Sequence, residues 1–303
     1  MHLCISLLDE GHQVYGIDNL NNYYDPKLKD NRLSKINQNT NFQFSKIDIN
    51  DLKSLENIFK TFQPEKVVNL AAQAGVRYSI KNPHAYIQTN IGGFTNIIEC
   101  CRNFKVKGLI YASSSSVYGK NEKIPFVELD AVNNPTSIYA ASKISNEQIA
   151  KTYNHLYGLH STGLRYFTVY GPWGRPDMAL YIFTEKILKN KPLNVFNHGQ
   201  MQRDFTYIDD IIRGTKSAIE KNYDYQIFNL GNSRSEDLMD MISIIEDFLG
   251  EKAKIQFKDM QPGDVRRTFA DITNASKFLD YKPLISIKEG IPKFIEWLNN
   301  YTV

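Results

Sequence analysis

The chain has 303 residues, enough for one large domain or two smaller ones, and its 42% hydrophobic and 23% charged residues are typical of a globular protein. Its net charge of +3, from 36 Lys and Arg against 33 Asp and Glu, is too small to indicate binding to nucleic acid or to a membrane surface. It has no apolar run of about 18 residues that could span a membrane, and its first residues lack the basic start and apolar centre of a signal peptide.

The three cysteines, Cys4, Cys100 and Cys101, form neither a disulfide framework nor a zinc-binding pattern. The six histidines are scattered, and we expect them to be surface or packing residues. We therefore predict no metal site and expect a protein of the reducing cytoplasm.

Short apolar strands alternate with helical segments in the first half of the chain. The apolar residues of His2–Asp9 have helical spacing, and Gly11 suits the position that ends a helix. The other predicted elements are the strands Gln13–Asp18, Phe42–Asp48, Val67–Ala72, Gly108–Ser113 and Ser161–Phe167 and the helices Lys53–Phe62, Asn90–Cys101 and Ser137–Tyr157. This alternation predicts an α/β fold of the Rossmann-like type, with a doubly wound parallel sheet between two layers of helices.

The pattern becomes irregular after residue 170, where Gly171–Asp177 is a loop by composition. The predicted elements that follow are the helices Ala179–Asn190 and Glu236–Leu249 and the strand-like segments Leu193–Phe196 and Ile227–Leu230. Apolar residues at i, i+4, i+7, i+8 and i+11 from Ile287 predict an amphipathic helix at the C-terminus. We divide the chain into a first domain, 1–170, to which part of 205–230 returns, and a smaller α/β domain, 171–303.

The most informative feature is the pair Tyr139 and Lys143 on the helix Ser137–Tyr157. Residues at i and i+4 share one helix face, with roughly 5–6 Å between their Cβ atoms. An ammonium beside a phenol favours the phenolate, so a group with a pKa near 10 in model peptides can act as a base close to neutral pH. A Ser-rich strand end, Tyr111–Gly119, comes shortly before the pair and strengthens this interpretation.

Two predicted strands end in an acid, and ligands of such folds lie beyond the carboxyl ends of the strands. Asp18 can accept hydrogen bonds from two ribose hydroxyls, which favours NAD over NADP, although a helix cap or solvated loop acid is the alternative. Asp48 similarly fits adenine recognition. Ala71 and Ala72 could let the backbone approach the cofactor closely, or could simply relieve crowding.

One expected part of a dinucleotide-binding fold does not appear. Such a fold begins with a strand and a Gly-rich turn that holds the pyrophosphate, whereas Met1 here already belongs to the helix that should follow the turn. We therefore expect the first strand and turn to be missing, either because the start is placed too late or because the protein is a defective remnant.

Five motifs together resemble the extended short-chain dehydrogenase/reductase family. They are Tyr111–Gly119, Tyr139–Lys143, Arg165–Pro172, Arg203–Asp210 and Gln261–Asp264. Within that family the chain is most similar to the UDP-glucuronate 4-epimerases, and the resemblance covers nearly its whole length. It implies tightly held NAD, a UDP-sugar substrate, and a homodimer formed partly through the helix that bears Tyr139.

The resemblance also implies a catalytic group of three residues. Tyr139 is the base that removes the proton of the sugar 4-OH while C4 passes a hydride to NAD⁺. Lys143 lowers the pKa of this tyrosine and bonds the nicotinamide ribose, and Ser114 bonds the same hydroxyl and relays its proton. The other implied cofactor contacts are Asp18, Asn19, Asp48, Ile49, Ala71, Ala72, Asn90, Ser113, Tyr166 and Val169.

Substrate contacts implied by the resemblance are mostly cationic. Arg203 fits a pyrophosphate contact, with a surface salt bridge to an acid of its own motif as the alternative. Thr168 and Arg175 match the positions that hold the C6 carboxylate, and an Arg fork beside a hydroxyl suits that group. Arg77 is as consistent with a substrate anion as with a structural ion pair, and Asp264 fits a uridine-ribose contact.

The residues just before Val-Tyr-Gly distinguish epimerases from related sugar-nucleotide enzymes. Sugar-nucleotide dehydratases and uronate decarboxylases carry an acid just before Val-Tyr-Gly, where this chain has Ser115 and Ser116. The expected reaction is therefore NAD-dependent 4-epimerisation of a UDP-uronic acid. The alternatives are a UDP-hexose 4-epimerase and a catalytically impaired remnant that binds UDP-sugar.

Overall fold

Strands and helices alternate in the first half of the computed structural model, which describes residues 1–261 and 264–302. The elements are α1 (His2–Asp9), β1 (Val14–Asp18), α2 (Pro26–Ser34), β2 (Phe42–Lys46), α3 (Leu52–Phe62), β3 (Lys66–Asn69), α4 (Val76–Lys81), α5 (Pro83–Tyr86), a π-helical segment (Ile87–Gly93), α6 (Phe94–Asn103), β4 (Gly108–Ser114), a 3-10 turn (Ser115–Tyr118), α7 (Ile138–Tyr157) and β5 (Ser161–Tyr166).

The second half contains shorter strands. Its elements are β6 (Thr168–Tyr170), α8 (Ala179–Leu188), β7 (Leu193–Phe196), a 3-10 turn (Asn197–Gly199), β8 (Gln202–Arg203), β9 (Phe205–Tyr207), α9 (Ile208–Lys221), β10 (Tyr225–Leu230), β11 (Glu236–Asp237), α10 (Leu238–Leu249), β12 (Ile255–Lys258), α11 (Thr273–Leu279) and α12 (Ile287–Thr302).

The central sheet is parallel, which confirms the predicted Rossmann-like α/β fold. Its four strands lie in the order β3-β4-β5-β10, and β1 pairs in parallel with β2 alone among the described strands. The register places Ser113 beside Arg165 and Ser114 beside Tyr166. The end of β4 therefore lies directly next to the end of β5.

Several predicted elements have different ends. The strand predicted to reach Asp48 stops at Lys46, because the Asp48 carboxylate accepts the amide of Asn50 at 2.8 Å and turns the chain. The strand predicted to reach Ala72 stops at Asn69, so Ala71 and Ala72 lie in the loop beyond it. The helix predicted from Glu236 begins at Leu238, because the two residues before it pair with β8.

Five helices, α2, α4, α5, α9 and α11, were absent from the prediction. Two of them carry a recognisable start, an Asx residue followed by proline. The Asp25 side chain accepts the amide of Lys27 at 2.9 Å, and the Asn82 side chain accepts that of Ala85 at 3.4 Å. The cap was visible in the sequence, but neither helix has a strong apolar stripe.

Helix α7 has well-defined ends. The Ser137 hydroxyl accepts the amide of Ala140 at 3.0 Å, and Gly158, at a φ of +64°, closes the helix with a bond to Asn154. Its buried face includes Ala140, Lys143, Glu147 and Ala150, at helical spacing. The two small residues let the helix lie close to its neighbours, and the two charged residues need partners inside the protein.

The charged partner of α7 is Arg165 on β5. Its Nη2 lies 2.8 Å from Glu147 Oε2 and its Nε 2.9 Å from Oε1, and the exposed fractions of the two side chains are 3% and 1%. Ser113 donates to the same carboxylate at 2.5 Å, and Arg165 donates to Tyr118 at 3.0 Å. This network ties α7 to β4 and β5.

The C-terminal half has a core of its own. The predicted stripe on α12 is buried and packs with residues of α8 and α10. In the part of the chain that the structure describes, no helix is long and apolar enough to cross a membrane.

We expect Arg165→Met to lower the free energy of unfolding by about 3–5 kcal/mol, because it leaves the buried carboxylate of Glu147 without its counter-ion. Denaturant unfolding measures this loss. The double variant Arg165→Met/Glu147→Leu should recover much of it, since no buried charge then remains unpaired.

The exposed pair Lys189 and Glu185 is the matched control for this experiment. Lys189→Met should cost less than about 1 kcal/mol, as is usual for surface pairs. Equal costs for Lys189→Met and Arg165→Met would contradict the role given to the buried pair.

Candidate active site

A cleft of about 740 Å³ lies beyond the carboxyl ends of β1, β3, β4 and β5. The predicted site residues that line it are Asp18, Asn19, Ile49, Ala71, Ala72, Ser113, Ser114, Tyr139, Lys143, Tyr166, Thr168, Val169 and Arg175. The predicted residues outside this lining are Asp48, Arg77, Asn90, Arg203 and Asp264. The cleft thus brings together the predicted catalytic residues and the predicted carboxylate contacts.

Lys143 is buried on α7, with an exposed fraction of 2%. Its Nζ donates to the carbonyl of Ala112 on β4 at 2.8 Å. Burial lowers the pKa of its ammonium to about 8. This side chain is therefore held in one place at the end of β4 and is close to losing its proton at mildly alkaline pH.

Tyr139 lies one turn earlier, packed edge-on against Tyr86 with 6.1 Å between ring centroids. Burial raises the pKa of its phenol, while the Ser114 hydroxyl and the positive charge of Arg175 act in the opposite direction. Arg175 is thus a cation that helps this tyrosine to ionise. That Lys143 also lowers the pKa stays a prediction.

The two serines at the end of β4 have different surroundings. Ser114 caps the 3-10 turn, where its Oγ accepts the amide of Ser116 at 3.2 Å, and it lines the cleft. The Ser113 hydroxyl is engaged by Glu147. A hydroxyl that donates to a buried carboxylate is held firmly, so Ser113 fixes the end of β4 at the edge of the cleft.

The acids predicted to bind the cofactor lie at the ends of β1 and β2. The Asp18 side chain is 52% exposed, with its Oδ1 accepting the amide of Leu20 at 2.7 Å. Asn19 Nδ2 donates to Asp48 Oδ2 at 2.8 Å. Burial acts to raise the pKa of Asp48, but the hydrogen bonds from Asn19 and Asn50 outweigh burial, so that the pKa is lowered. Asp48 is therefore a carboxylate at neutral pH, and the oxygens of both acids have lone pairs available to a ligand.

Asn90 is buried behind the cleft. It accepts the amide of Gln73 at 2.8 Å and donates to the Gln73 carbonyl at 3.0 Å and to Ser142 at 2.9 Å. These bonds pin the loop after β3 to α7. Asn90 therefore positions a loop that lines the cleft, although Asn90 itself is not among the lining residues.

Arg175 lies in the loop between β6 and α8. Its guanidinium donates to the carboxylate of Asp177 from Nε at 2.9 Å and from Nη2 at 2.7 Å. Thr168, at the start of β6, lines the same cleft. A hydroxyl and a cation that face one cavity near Tyr139 can recognise an acidic group there.

Arg77, Arg203 and Asp264 form a second cluster. Arg77 Nη2 lies 3.2 Å from Asp264 Oδ2, which is the ion pair that the sequence left open as the alternative to a substrate contact. Arg203 donates to the carbonyls of Gln202 at 2.8 Å and Arg266 at 3.1 Å, and burial lowers the pKa of its guanidinium while Asp264 opposes this.

The alternative salt bridge of Arg203 with its neighbouring acids is not seen among the described residues. Asp204 instead accepts the amides of Asn232, Ser233 and Ala270, and burial raises its pKa to about 6. Two residues of the predicted motif Gln261–Asp264, at positions 262 and 263, lie outside the described residues.

Sequence reasoning missed Glu147 and Asp177, the carboxylates that hold Arg165 and Arg175. Glu147 carries a signal that could have found it, because it follows Lys143 by four residues on the buried face of α7. Asp177 stands two residues after Arg175 in a loop, where no regular spacing indicates a pair. No group of three or more potential metal ligands is found among residues 1–261 and 264–302.

A parallel α/β sheet with acids at its strand ends and a Tyr–Lys pair beside them defines a nucleotide-dependent enzyme of the Rossmann type. The model of the NAD dependent epimerase/dehydratase family matches residues 1–231. The chain belongs to this family.

Similar proteins include two nucleotide-sugar epimerases of known structure. The chain is 35% identical to UDP-glucuronic acid 4-epimerase from Bacillus cereus, crystallised with UDP-glucuronic acid and NAD, with a TM-score of 0.94 over 99% of this chain and 95% of that one. It is 31% identical to UDP-glucose 4-epimerase from Thermotoga maritima, crystallised with UDP-glucose, with a TM-score of 0.92 over 100% and 96%. It is also 45% identical to UDP-glucuronate 4-epimerase 4 of Arabidopsis thaliana, over 99% of this chain and 72% of the relative.

The expectation that the first strand and the Gly-rich turn are missing is not borne out by these comparisons. The match to the crystallised Bacillus cereus enzyme extends over 95% of its length.

The low pKa of Lys143 predicts a specific dependence of stability on pH. An unfolded lysine has a pKa of about 10.4, so between pH 8 and about 10.4 the unfolded chain binds more protons than the folded one. The free energy of unfolding contributed by this residue therefore rises with pH in that window, by at most about 3 kcal/mol.

The test compares Lys143→Met with the unmodified protein by denaturant unfolding between pH 7.5 and 9.5, without added nucleotide. The variant should be more stable relative to the unmodified protein at pH 7.5 than at pH 9.5. A difference that does not change with pH would show that Lys143 titrates as an ordinary lysine.

Proposed function

We propose that the protein catalyses the NAD-dependent 4-epimerisation that interconverts UDP-glucuronate and UDP-galacturonate through a 4-keto intermediate. The observation that carries the proposal is that one cleft contains Tyr139, Lys143, Ser114 and Arg175. This set combines a base, a relay hydroxyl and a cation suited to an acidic sugar. The similarity to the Bacillus cereus enzyme, crystallised with UDP-glucuronic acid and NAD, supports it.

The residues at the strand ends fit NAD. The exposed carboxylate of Asp18 can accept two ribose hydroxyls, and Asn19 and Asp48 can hold the adenine edge. Ala71 and Ala72 leave room for close approach at the end of β3. The remaining proposed contacts are Ile49, Ser113, Tyr139, Lys143, Tyr166 and Val169, with Asn90 acting through the loop it pins. When bound, NAD supplies the acceptor and donor of the hydride at C4.

Tyr139 is proposed to take the proton of the sugar 4-OH, directly or through Ser114. Burial alone would keep its phenol protonated, so the ionised form depends on neighbouring cations and hydrogen bonds. Arg175 and Ser114 supply this help in the structure, and Lys143 adds a buried ammonium on the same helix face. After the 4-keto intermediate has rotated to present its opposite face and the hydride has returned to C4, Tyr139 returns the proton to the oxygen at C4.

Thr168 and Arg175 are proposed to hold the C6 carboxylate of the sugar. An Arg guanidinium and a hydroxyl make charge-assisted bonds to such a group. The half-buried guanidinium of Arg203 is proposed to contact the diphosphate, and Asp264 the uridine ribose, with Arg77 beside them. The diphosphate and uridine would thus be bound mainly by the C-terminal half.

A second candidate is a UDP-hexose 4-epimerase, and one observation favours it. Asp177 already neutralises the charge of Arg175, which leaves a less cationic pocket than the sequence alone predicts. The similarity to the Thermotoga maritima UDP-glucose 4-epimerase is consistent with this candidate. The two functions differ in whether Arg175 recognises the substrate.

Further proposals concern the organisation of the protein. Residues 1–170, with part of 205–230, are proposed to bind NAD, and residues 171–303 the UDP-sugar; the pairing of β10 with β5 supports the returning segment. A homodimer formed partly through α7 is supported by Leu156 and Tyr157, which are exposed apolar residues at its end. Three free cysteines are consistent with the cytoplasm.

Arg175→Ala should raise the KM for UDP-glucuronate about 10- to 100-fold, because a charge-assisted interaction with the carboxylate is lost. The KM or inhibition constant of neutral UDP-glucose should change little. Steady-state assays with both nucleotides measure the two effects.

Arg102→Ala is the matched control, because it removes a partly exposed arginine of α6 that pairs with Glu99 outside the cleft. It should leave both constants unchanged. An unmodified enzyme that prefers UDP-glucose, or an Arg175 variant that weakens both nucleotides equally, would support the hexose epimerase instead.

A further inference from the structure

Arg175 is already paired with a carboxylate of this chain. The Nε and Nη2 atoms of its guanidinium donate to the two oxygens of Asp177, at 2.9 and 2.7 Å. The two side chains stand in one loop and are each 30% exposed. Arg175, which is proposed to bind the carboxylate of the sugar, therefore already binds the carboxylate of Asp177 in the same bidentate manner.

The Asp177 carboxylate is fixed from its other side by the cofactor half of the molecule. Tyr23, in the loop after β1, donates its hydroxyl to Asp177 Oδ2 at 3.1 Å. Gly75, with a φ of +101°, lies behind this contact, where an added Cβ would stand 3.0 Å from the tyrosine oxygen. Burial and the charge of Asp177 raise the pKa of Tyr23 to about 12, so its hydroxyl remains a donor at neutral pH.

The loop that carries both charged residues is held at its base. Arg32 on α2 donates to the carbonyls of Trp173 at 2.5 Å and Gly174 at 3.3 Å. Trp173 also packs against Trp297 and Tyr301 of α12, with ring centroids 5.3 and 5.5 Å apart. Because the backbone of this loop is held by these contacts, an acidic ligand that enters the cleft must change the positions of the Arg175 and Asp177 side chains.

A second carboxylate on this guanidinium meets two obstacles. The Nη2 atom also contacts the sulfur of Met178, at 3.9 Å. Because Nη2 belongs both to the Nε–Nη2 edge of the guanidinium and to its Nη1–Nη2 edge, each edge is already partly occupied. With Asp177 in place, the guanidinium and two carboxylates would carry a net charge of −1 in a partly buried cleft. Like charges so close repel one another.

We propose that Asp177 is an internal competitor for Arg175: it occupies the guanidinium when no acidic sugar is bound, and it thereby sets how strongly the site prefers acidic over neutral sugar nucleotides. The inference rests on the proposed role of Arg175. In this arrangement the acid of the substrate displaces the Asp177 carboxylate, which keeps its bond from Tyr23.

The competition also bears on catalysis. The charge of Arg175 lowers the pKa of Tyr139, and Asp177 partly cancels that charge. Removing the Asp177 charge should therefore make Tyr139 easier to ionise in the free enzyme, so that the acidic limb of the kcat/KM profile, which reports the free enzyme, moves to lower pH.

Asp177→Asn tests the proposal, because the amide keeps the shape of the side chain and an oxygen for Tyr23. Calorimetry should show the Kd of UDP-glucuronate falling about 3- to 10-fold, in keeping with the modest strength of a partly exposed ion pair. The Kd of UDP-glucose should not change. Asp259→Asn is the matched control, since it removes a fully exposed carboxylate next to His198 and should alter neither Kd.

Two results would overturn the proposal. A higher Kd for UDP-glucuronate in Asp177→Asn would show that Asp177 holds Arg175 in position for the substrate. An unchanged ratio of the two Kd values would show that it does not compete. If Arg175→Ala also leaves the ratio of the two Kd values unchanged, Arg175 does not recognise the sugar acid. If Arg175→Ala changes the ratio and Asp177→Asn does not, only the role proposed for Asp177 fails.

Discussion

The buried pair of Glu147 and Arg165 is the contact on which the rest of the site depends. It joins α7 to β5, and through Ser113 it joins both to the end of β4. Two charges so deeply buried are tolerated only because each is paired and hydrogen-bonded, and removing one partner leaves an uncompensated charge inside the protein. The pair therefore enforces one position of α7 on the sheet.

That position determines the chemistry of the cleft. Lys143 and Tyr139 lie one and two turns before Glu147 on α7, so fixing the helix brings them to the strand ends where ligands of such sheets bind. Burial there disfavours the charged form of both groups: it raises the pKa of the Tyr139 phenol and lowers the pKa of the Lys143 ammonium. The cation of Arg175 offsets part of this cost for the tyrosine, which links substrate recognition to the proposed base.

Local patterns predicted the parallel sheet, α7, α12 and 13 of the residues that line the cleft, because strand alternation, helix caps and short motifs are readable within a few residues. The partners of those residues were not readable. Glu147 and Arg165 are 18 positions apart and Arg77 and Asp264 are 187 apart, so only the folded chain brings each pair together. The true strand ends and the shorter missed helices, α2, α4, α5 and α11, were not predicted for the same reason, since tertiary contacts decide them. Helix α9 is different, because its apolar residues recur at helical spacing and were readable from the sequence.

In the proposed reaction, hydride leaves and returns at C4 of a UDP-uronic acid while Tyr139 accepts and returns the proton of the 4-OH. This route is followed by incubating the protein with UDP-glucuronate in D₂O and recording NMR spectra of the sugar. We expect UDP-galacturonate with no deuterium bound to C4 or C5, and no product from a folded Tyr139→Phe variant. Deuterium at either carbon, or full turnover by that variant, would rule this route out.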